Sequence, residues 1–125
     1  MLRDILLYAG SIVVAGWGIA HFFPTRSVIR SFGPISDDSR KILAMEWIME
    51  GLTLCFIGLL VIIVNLLASA QDYIPVVVYQ LSGFMLLAMA AVSVRTGART
   101  AVLPMRLCPI IFTTVAAGYF LASVL

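Results

Sequence analysis

Charged residues are scarce in this chain. Only 11% of its 125 residues are Asp, Glu, Lys or Arg, whereas 62% are hydrophobic, and the mean hydropathy is +1.11. Because a soluble domain carries about 25% charged residues, we predict an integral membrane protein whose main partner is the lipid bilayer. The net charge of +2 comes without a basic run or an aromatic stacking platform, so we exclude nucleic acid as a partner.

Cysteine and histidine are also rare. Cys55 and Cys108 are too few for a disulfide framework, and we expect both to be buried as small apolar side chains. The single His21 excludes bis-histidine haem ligation, and with two glutamates it makes at best a weak metal-ligand set. Nucleotide-binding, serine-nucleophile and paired-cysteine motifs are absent. We therefore predict no catalytic residues, no metal and no cofactor.

Long apolar runs are what the sequence does contain. Four of them are long enough for membrane-spanning helices, which need about 20 residues each. We predict a single all-α domain over residues 1–125, an integral membrane four-helix bundle. The spans are expected at about residues 5–23, 41–67, 73–94 and 104–125. The first run lacks a small-residue cleavage site, so we assign it to a span and not to a signal peptide.

The connections between the spans differ in charge and in turn residues. Gly33-Pro34 marks a turn in the first connection, and Ser36 or Asp37 is suited to cap the following helix. An amphipathic stretch before this turn is compatible with a short helix at the membrane interface. Seven basic residues lie in or beside the first and third connections: Arg26, Arg30, Arg40, Lys41, Arg95, Arg99 and Arg106. By the positive-inside rule, these connections face the cytoplasm and both termini face outward.

Two carboxylates lie in the first half of span 2. Glu46 and Glu50 are four residues apart, so they share one face of the helix. Glu50 would lie about 12 Å inside the bilayer if the helix enters near Ile42. A charge at that depth costs about 2.5–3.5 kcal/mol, so we expect the Glu50 side chain to be protonated or hydrogen-bonded. Any activity is expected around this residue.

The predicted orientation places the end of span 1 beside the start of span 2. We expect His21 to meet Glu46, with Glu50 one turn deeper, Trp17 and Trp47 as walls, and an arginine of the first or third connection as counter-charge. Such a set is suited to binding a ligand head group or to proton transfer. The alternative is a structural polar lock that fixes helix packing, because networks of that kind also contain buried ionisable groups.

Two segments carry a family resemblance: residues 18–24 (GIAHFFP) and residues 46–58 (EWIMEGLTLCFIG). Together they resemble the DoxX-like group of small four-span bacterial membrane proteins. In this comparison His21 matches the histidine that closes the first helix, and Glu50, Gly51 and Gly58 match the acidic and small positions of the second. The resemblance implies a four-helix bundle in a bacterial inner membrane. Some members of the group are associated with quinone-linked sulfur oxidation or redox homeostasis.

Two functions remain open from the sequence. The first is a non-catalytic membrane subunit or binding protein that packs against a membrane partner or a second copy and holds a lipid-like or quinone-like ligand near Glu50. The second is a small proton-coupled transporter or exporter that uses Glu50 as its titrating group. We prefer the first because the chain offers no redox centre of its own.

Overall fold

The computed structural model describes residues 1–69 and 72–125, and this part of the chain is helical with short connections. The helices are α1 (Leu2–Phe22), α2 (Thr25–Ser31), α3 (Asp37–Leu67), α4 (Ile74–Arg95), a 3₁₀ helix (Gly97–Arg99) and α5 (Leu103–Val124). The predicted all-α class is confirmed. Four of these helices, α1, α3, α4 and α5, are long and apolar enough to cross a membrane.

The observed helix ends follow from local capping. α3 begins at Asp37, four residues before the predicted start at residue 41, because the Ser36 hydroxyl accepts a 3.1 Å hydrogen bond from the Ser39 backbone N–H. Pro75 lies in the first turn of α4, where its missing N–H leaves no hydrogen bond unmade. Residues 70 and 71 of the predicted second connection lie outside the described residues.

The first connection contains the short helix that its amphipathic pattern suggested. α2 begins directly after Pro24 and buries Val28 and Ile29. Gly33 then turns the chain with a φ of 75°, a conformation that favours glycine. This turn leads the chain back to the start of α3, so that α2 lies beside the first turns of α3.

Small residues allow α1 and α3 to pack closely. A Cβ added at Gly18 would lie 2.6 Å from the Gly51 backbone oxygen, and one added at Gly58 would lie 2.6 Å from the Ser11 backbone oxygen. Such distances leave no room for any larger residue at Gly18 or Gly58. Small residues on both helices therefore form the α1–α3 interface.

The remaining packing is uneven around the bundle. α1 packs against both α3 and α5, and α5 packs against α4, whereas α3 and α4 contact each other much less. One link between α3 and α4 is the hydrogen bond from the Tyr79 hydroxyl to the Asn65 side-chain oxygen, 3.0 Å long, near the second connection. α3 and α4 therefore diverge toward the other end of the bundle, where a cleft opens.

The outer surface of the four long helices is strongly apolar. Each helix exposes large hydrophobic side chains, among them Ile12 on α1, Phe56 on α3, Phe84 on α4 and Ile110 on α5, all more than 60% exposed. Exposure of this much apolar surface to water is unfavourable for a monomeric protein, whereas a lipid bilayer covers such a surface. The chain is thus a multi-pass membrane protein.

Candidate functional site

A cleft with a volume of about 820 Å³ lies between α3 and α4. α2, the 3₁₀ helix and α5 complete its walls. Apolar side chains predominate, and four methionines contribute: Met49, Met85, Met89 and Met105. The polar lining side chains are Glu46, Glu50, Thr53, Ser93, Thr96, Thr100 and Cys108. At Glu50 and Cys108 the cleft adjoins the buried end of α1.

His21 lies at this end of α1 and is only 3% exposed. Its Nδ1 lies 2.7 Å from the Trp17 backbone carbonyl, which can only accept, so Nδ1 carries the proton and donates it. The other ring nitrogen, Nε2, lies 3.7 Å from Glu50 Oε1, too far for a hydrogen bond. Within the described residues, Nε2 is buried without a hydrogen-bond partner.

Both tryptophans of the predicted site contact His21. The Trp47 indole is buried, lies 4.8 Å from the His21 ring between centroids, and donates its N–H to the His21 backbone carbonyl at 2.6 Å. Trp17 meets the His21 ring edge-on at 6.0 Å. These contacts fix the imidazole from two sides, so that Nε2 has a defined direction toward Glu50.

The sequence did not place Cys108 in this site. It is buried near the start of α5, and its Sγ accepts a 3.4 Å hydrogen bond from the Trp17 indole N–H. His21, Glu50 and Cys108 each offer one atom that can bind a metal ion, and these three atoms lie within 4.8 Å of one another. The expectation that both cysteines are buried is confirmed for Cys108, whereas Cys55 is only half-buried. The partners of Cys108 are polar, and it lines the cleft.

The predicted contact of His21 with Glu46 is replaced by the approach of Glu50. Glu46 lines the same cleft but is exposed, one turn closer to the start of α3. Among the described residues, Glu46 and Glu50 make no ion pair with an arginine within 4 Å. The predicted arginine counter-charge is therefore not found in this part of the chain, and the imidazole of His21 is the basic group nearest to Glu50.

A second, smaller groove lies between α2 and the start of α3. Its volume is about 360 Å³, and four basic side chains line it: Arg26, Arg30, Arg40 and Lys41. Opposite charges thus line two neighbouring surfaces, because the larger cleft carries the two glutamates. The basic groove and the acidic cleft differ in the ligand charge that each can accept.

Comparison of the chain with protein-family models, with curated proteins and with solved structures finds no match. The resemblance to the DoxX-like group therefore stays a prediction.

Proposed function

We propose that this protein is a non-catalytic membrane subunit or binding protein whose α3–α4 cleft holds a neutral amphiphile, lipid-like or quinone-like, with a hydrogen-bonding head near Glu50. The observation that carries the proposal is the cleft itself. Its volume of about 820 Å³ lies within the range of about 300–1,000 Å³ that is typical of small-molecule sites. Its predominantly apolar lining suits a hydrocarbon or isoprenoid body.

The polar groups of the cleft support a neutral head group. Glu50 Oε1 lies 3.7 Å from Nε2 of the buried His21, and the Glu50 side chain is 32% exposed, so it can accept a hydrogen bond from a ligand. Thr53 and Ser93 add hydroxyl groups on facing walls of the cleft. A phosphate head would meet repulsion from Glu46 and Glu50, whereas a hydroxyl or carbonyl head would not.

Four methionines give the cleft an adaptable wall. Met side chains are flexible and polarisable, and they fit ligands of irregular shape and tolerate variation in the ligand. This property favours a family of related amphiphiles over one rigid substrate. We propose that the protein works in a bacterial inner membrane with both termini outward, beside a membrane partner or a second copy of itself.

The test is the set of small molecules that co-purifies with the protein in mild detergent, identified by mass spectrometry of an organic extract. Ala88 lines the cleft, so Ala88→Trp fills it, while Ala91→Trp adds the same side chain at an exposed position outside the lining. We expect a quinone or neutral lipid at near-stoichiometric amounts in wild type and Ala91→Trp. In Ala88→Trp we expect the amount of bound quinone or neutral lipid to fall by about tenfold or more.

Other results of this experiment would contradict the proposal. Equal amounts of every lipid in all three proteins would mean that the cleft selects no ligand. Enrichment of anionic phospholipid alone would move the binding site to the basic groove of Arg26, Arg30, Arg40 and Lys41. The proton-coupled exporter stays a prediction from the sequence.

A further inference from the structure

The arrangement of His21 leaves one ring nitrogen without a function in the packing of the bundle. Nδ1 is committed to the Trp17 carbonyl at 2.7 Å, so in the neutral ring Nε2 carries a lone pair. Within the described part of the chain this lone pair has no hydrogen-bond partner, although the residue is only 3% exposed. A buried acceptor left unmatched in this way costs free energy unless something occupies the position that it faces.

Two further donor atoms share the position that Nε2 faces. Glu50 Oε1 lies 3.7 Å away, and a Cys108 Sγ completes a set whose three atoms all lie within 4.8 Å of one another. Ligand atoms around a tetrahedral zinc ion are separated by about 3.3–3.7 Å, given zinc bonds of about 2.0–2.3 Å. The nitrogen–oxygen distance lies at the upper end of this range, and closing sulfur distances of up to 4.8 Å requires a side-chain shift of about 1 Å.

The surrounding hydrogen bonds are those that support metal ligands. A histidine ligand usually donates its second ring N–H to a backbone carbonyl or carboxylate, as His21 does to Trp17. The Trp17 indole N–H points at Cys108 Sγ at 3.4 Å, and such a donor stabilises a thiolate. Trp17 thus orients one ligand through its backbone and stabilises another through its side chain.

Charge decides which ion fits. A thiolate, a carboxylate and a neutral imidazole together carry two negative charges, so a divalent ion gives a neutral site, which a low-dielectric membrane interior tolerates. A monovalent copper ion would leave one negative charge uncompensated. Magnesium and calcium prefer sites made of oxygen ligands, whereas zinc accepts sulfur, nitrogen and oxygen together.

We propose that His21, Glu50 and Cys108 form a three-ligand site for a divalent transition-metal ion of the zinc class. The Cys108 thiol proton is released to solvent when the ion binds. Glu50 and Cys108 both line the cleft, so the fourth coordination position faces it and is open to water or to a ligand head. The metal site shares Glu50 with the proposed amphiphile site, but it requires only side chains of this chain and can form without the amphiphile.

The experiment is a titration of tag-free, detergent-purified protein with Co²⁺ after treatment with a chelator. Cobalt bound to a thiolate gives a charge-transfer absorption band, and tetrahedral cobalt gives intense visible bands. We expect one Co²⁺ per chain with both features, and displacement of the cobalt by Zn²⁺. A protein that binds Cu⁺ but neither Co²⁺ nor Zn²⁺ would overturn the assignment to a divalent ion.

The two cysteines provide a matched pair of variants. Cys108→Ser should abolish the charge-transfer band, whereas Cys55→Ser should keep it, because Cys55 is no part of the set. His21→Gln should weaken the affinity by more than about tenfold, since even an outer-shell partner contributes about 10–100-fold. A band that survives in Cys108→Ser or disappears in Cys55→Ser would overturn the proposal.

A second measurement does not depend on the folding of any site variant. In Cys55→Ser, Cys108 is the single thiol, and its rate of reaction with a maleimide can be measured in membrane vesicles with and without Zn²⁺. Metal ligation should slow this labelling by at least about tenfold, in line with the affinity effects of metal shells. An unchanged rate at saturating Zn²⁺ would contradict the site, whatever the lipid extraction shows.

Discussion

The Trp47 indole on α3 donates a 2.6 Å hydrogen bond to the backbone carbonyl of His21 at the end of α1. This carbonyl also accepts a 2.8 Å hydrogen bond from the Thr25 hydroxyl. One side chain from α3 and one from α2 therefore stabilise the junction between α1 and α2. The same indole lines the α3–α4 cleft. Trp47 therefore connects the helix packing to the geometry of the candidate site.

Trp47→Phe should test this connection. The variant keeps an aromatic ring near His21 but removes the N–H donor, and we expect a loss of about 1 kcal/mol in the free energy of unfolding. Thermal unfolding in detergent, followed by circular dichroism, measures the effect. Thr25→Val removes the second donor to the same carbonyl and serves as the comparison. If neither variant unfolds earlier than wild type, the carbonyl is not an anchor of the junction.

The close packing of α1 and α3 makes a second prediction. A Cβ at Gly51 would lie 2.8 Å from the Gly18 backbone oxygen, whereas one at Gly16 would have nothing within 4 Å. We expect Gly51→Ala to destabilise the protein by about 1–3 kcal/mol through overpacking. Gly16→Ala should be neutral or slightly stabilising, because alanine favours the helix. Equal melting temperatures for the two variants would mean that the interface is looser than these distances require.

The distribution of basic residues predicts the orientation in the membrane. From the seven basic residues in or beside the first and third connections, we predict that these connections face the cytoplasm. We expect Ser69→Cys to react with a membrane-impermeant maleimide in intact cells, and Ser27→Cys to react only after lysis. Both native cysteines are changed to serine in these proteins. The opposite labelling pattern would reverse the orientation.

Much of the fold could be predicted from the sequence because hydropathy marks each span directly. The boundaries of the four spans agree with the observed helices within a few residues, except at the start of α3, where the Ser36 cap extends the helix to Asp37. Gly51 and Gly58, the small positions of the family resemblance, lie where α1 and α3 pack closely. These features depend on local sequence, which a single chain displays.

The site was harder to predict because its members come together only through packing. Depth in the membrane suggested that His21 would meet Glu46, but the Gly18–Gly51 approach sets the register of α1 on α3 and brings His21 beside Glu50. Cys108 lies 91 residues after Trp17, its hydrogen-bond partner, and nothing in its sequence neighbours points to the cleft. The expectation of no metal followed from a ligand set that omitted this cysteine.

Photocrosslinking in the membrane tests whether an amphiphile occupies the α3–α4 cleft. A small diazirine side chain is placed at Met89, which lines the cleft, or at Val94, which is exposed on α4 outside the lining. We expect the Met89 position to form an adduct with one quinone-like or neutral lipid species, identified by mass spectrometry, and the Val94 position to label bulk phospholipid. The same mixture of bulk phospholipid at both positions would contradict it.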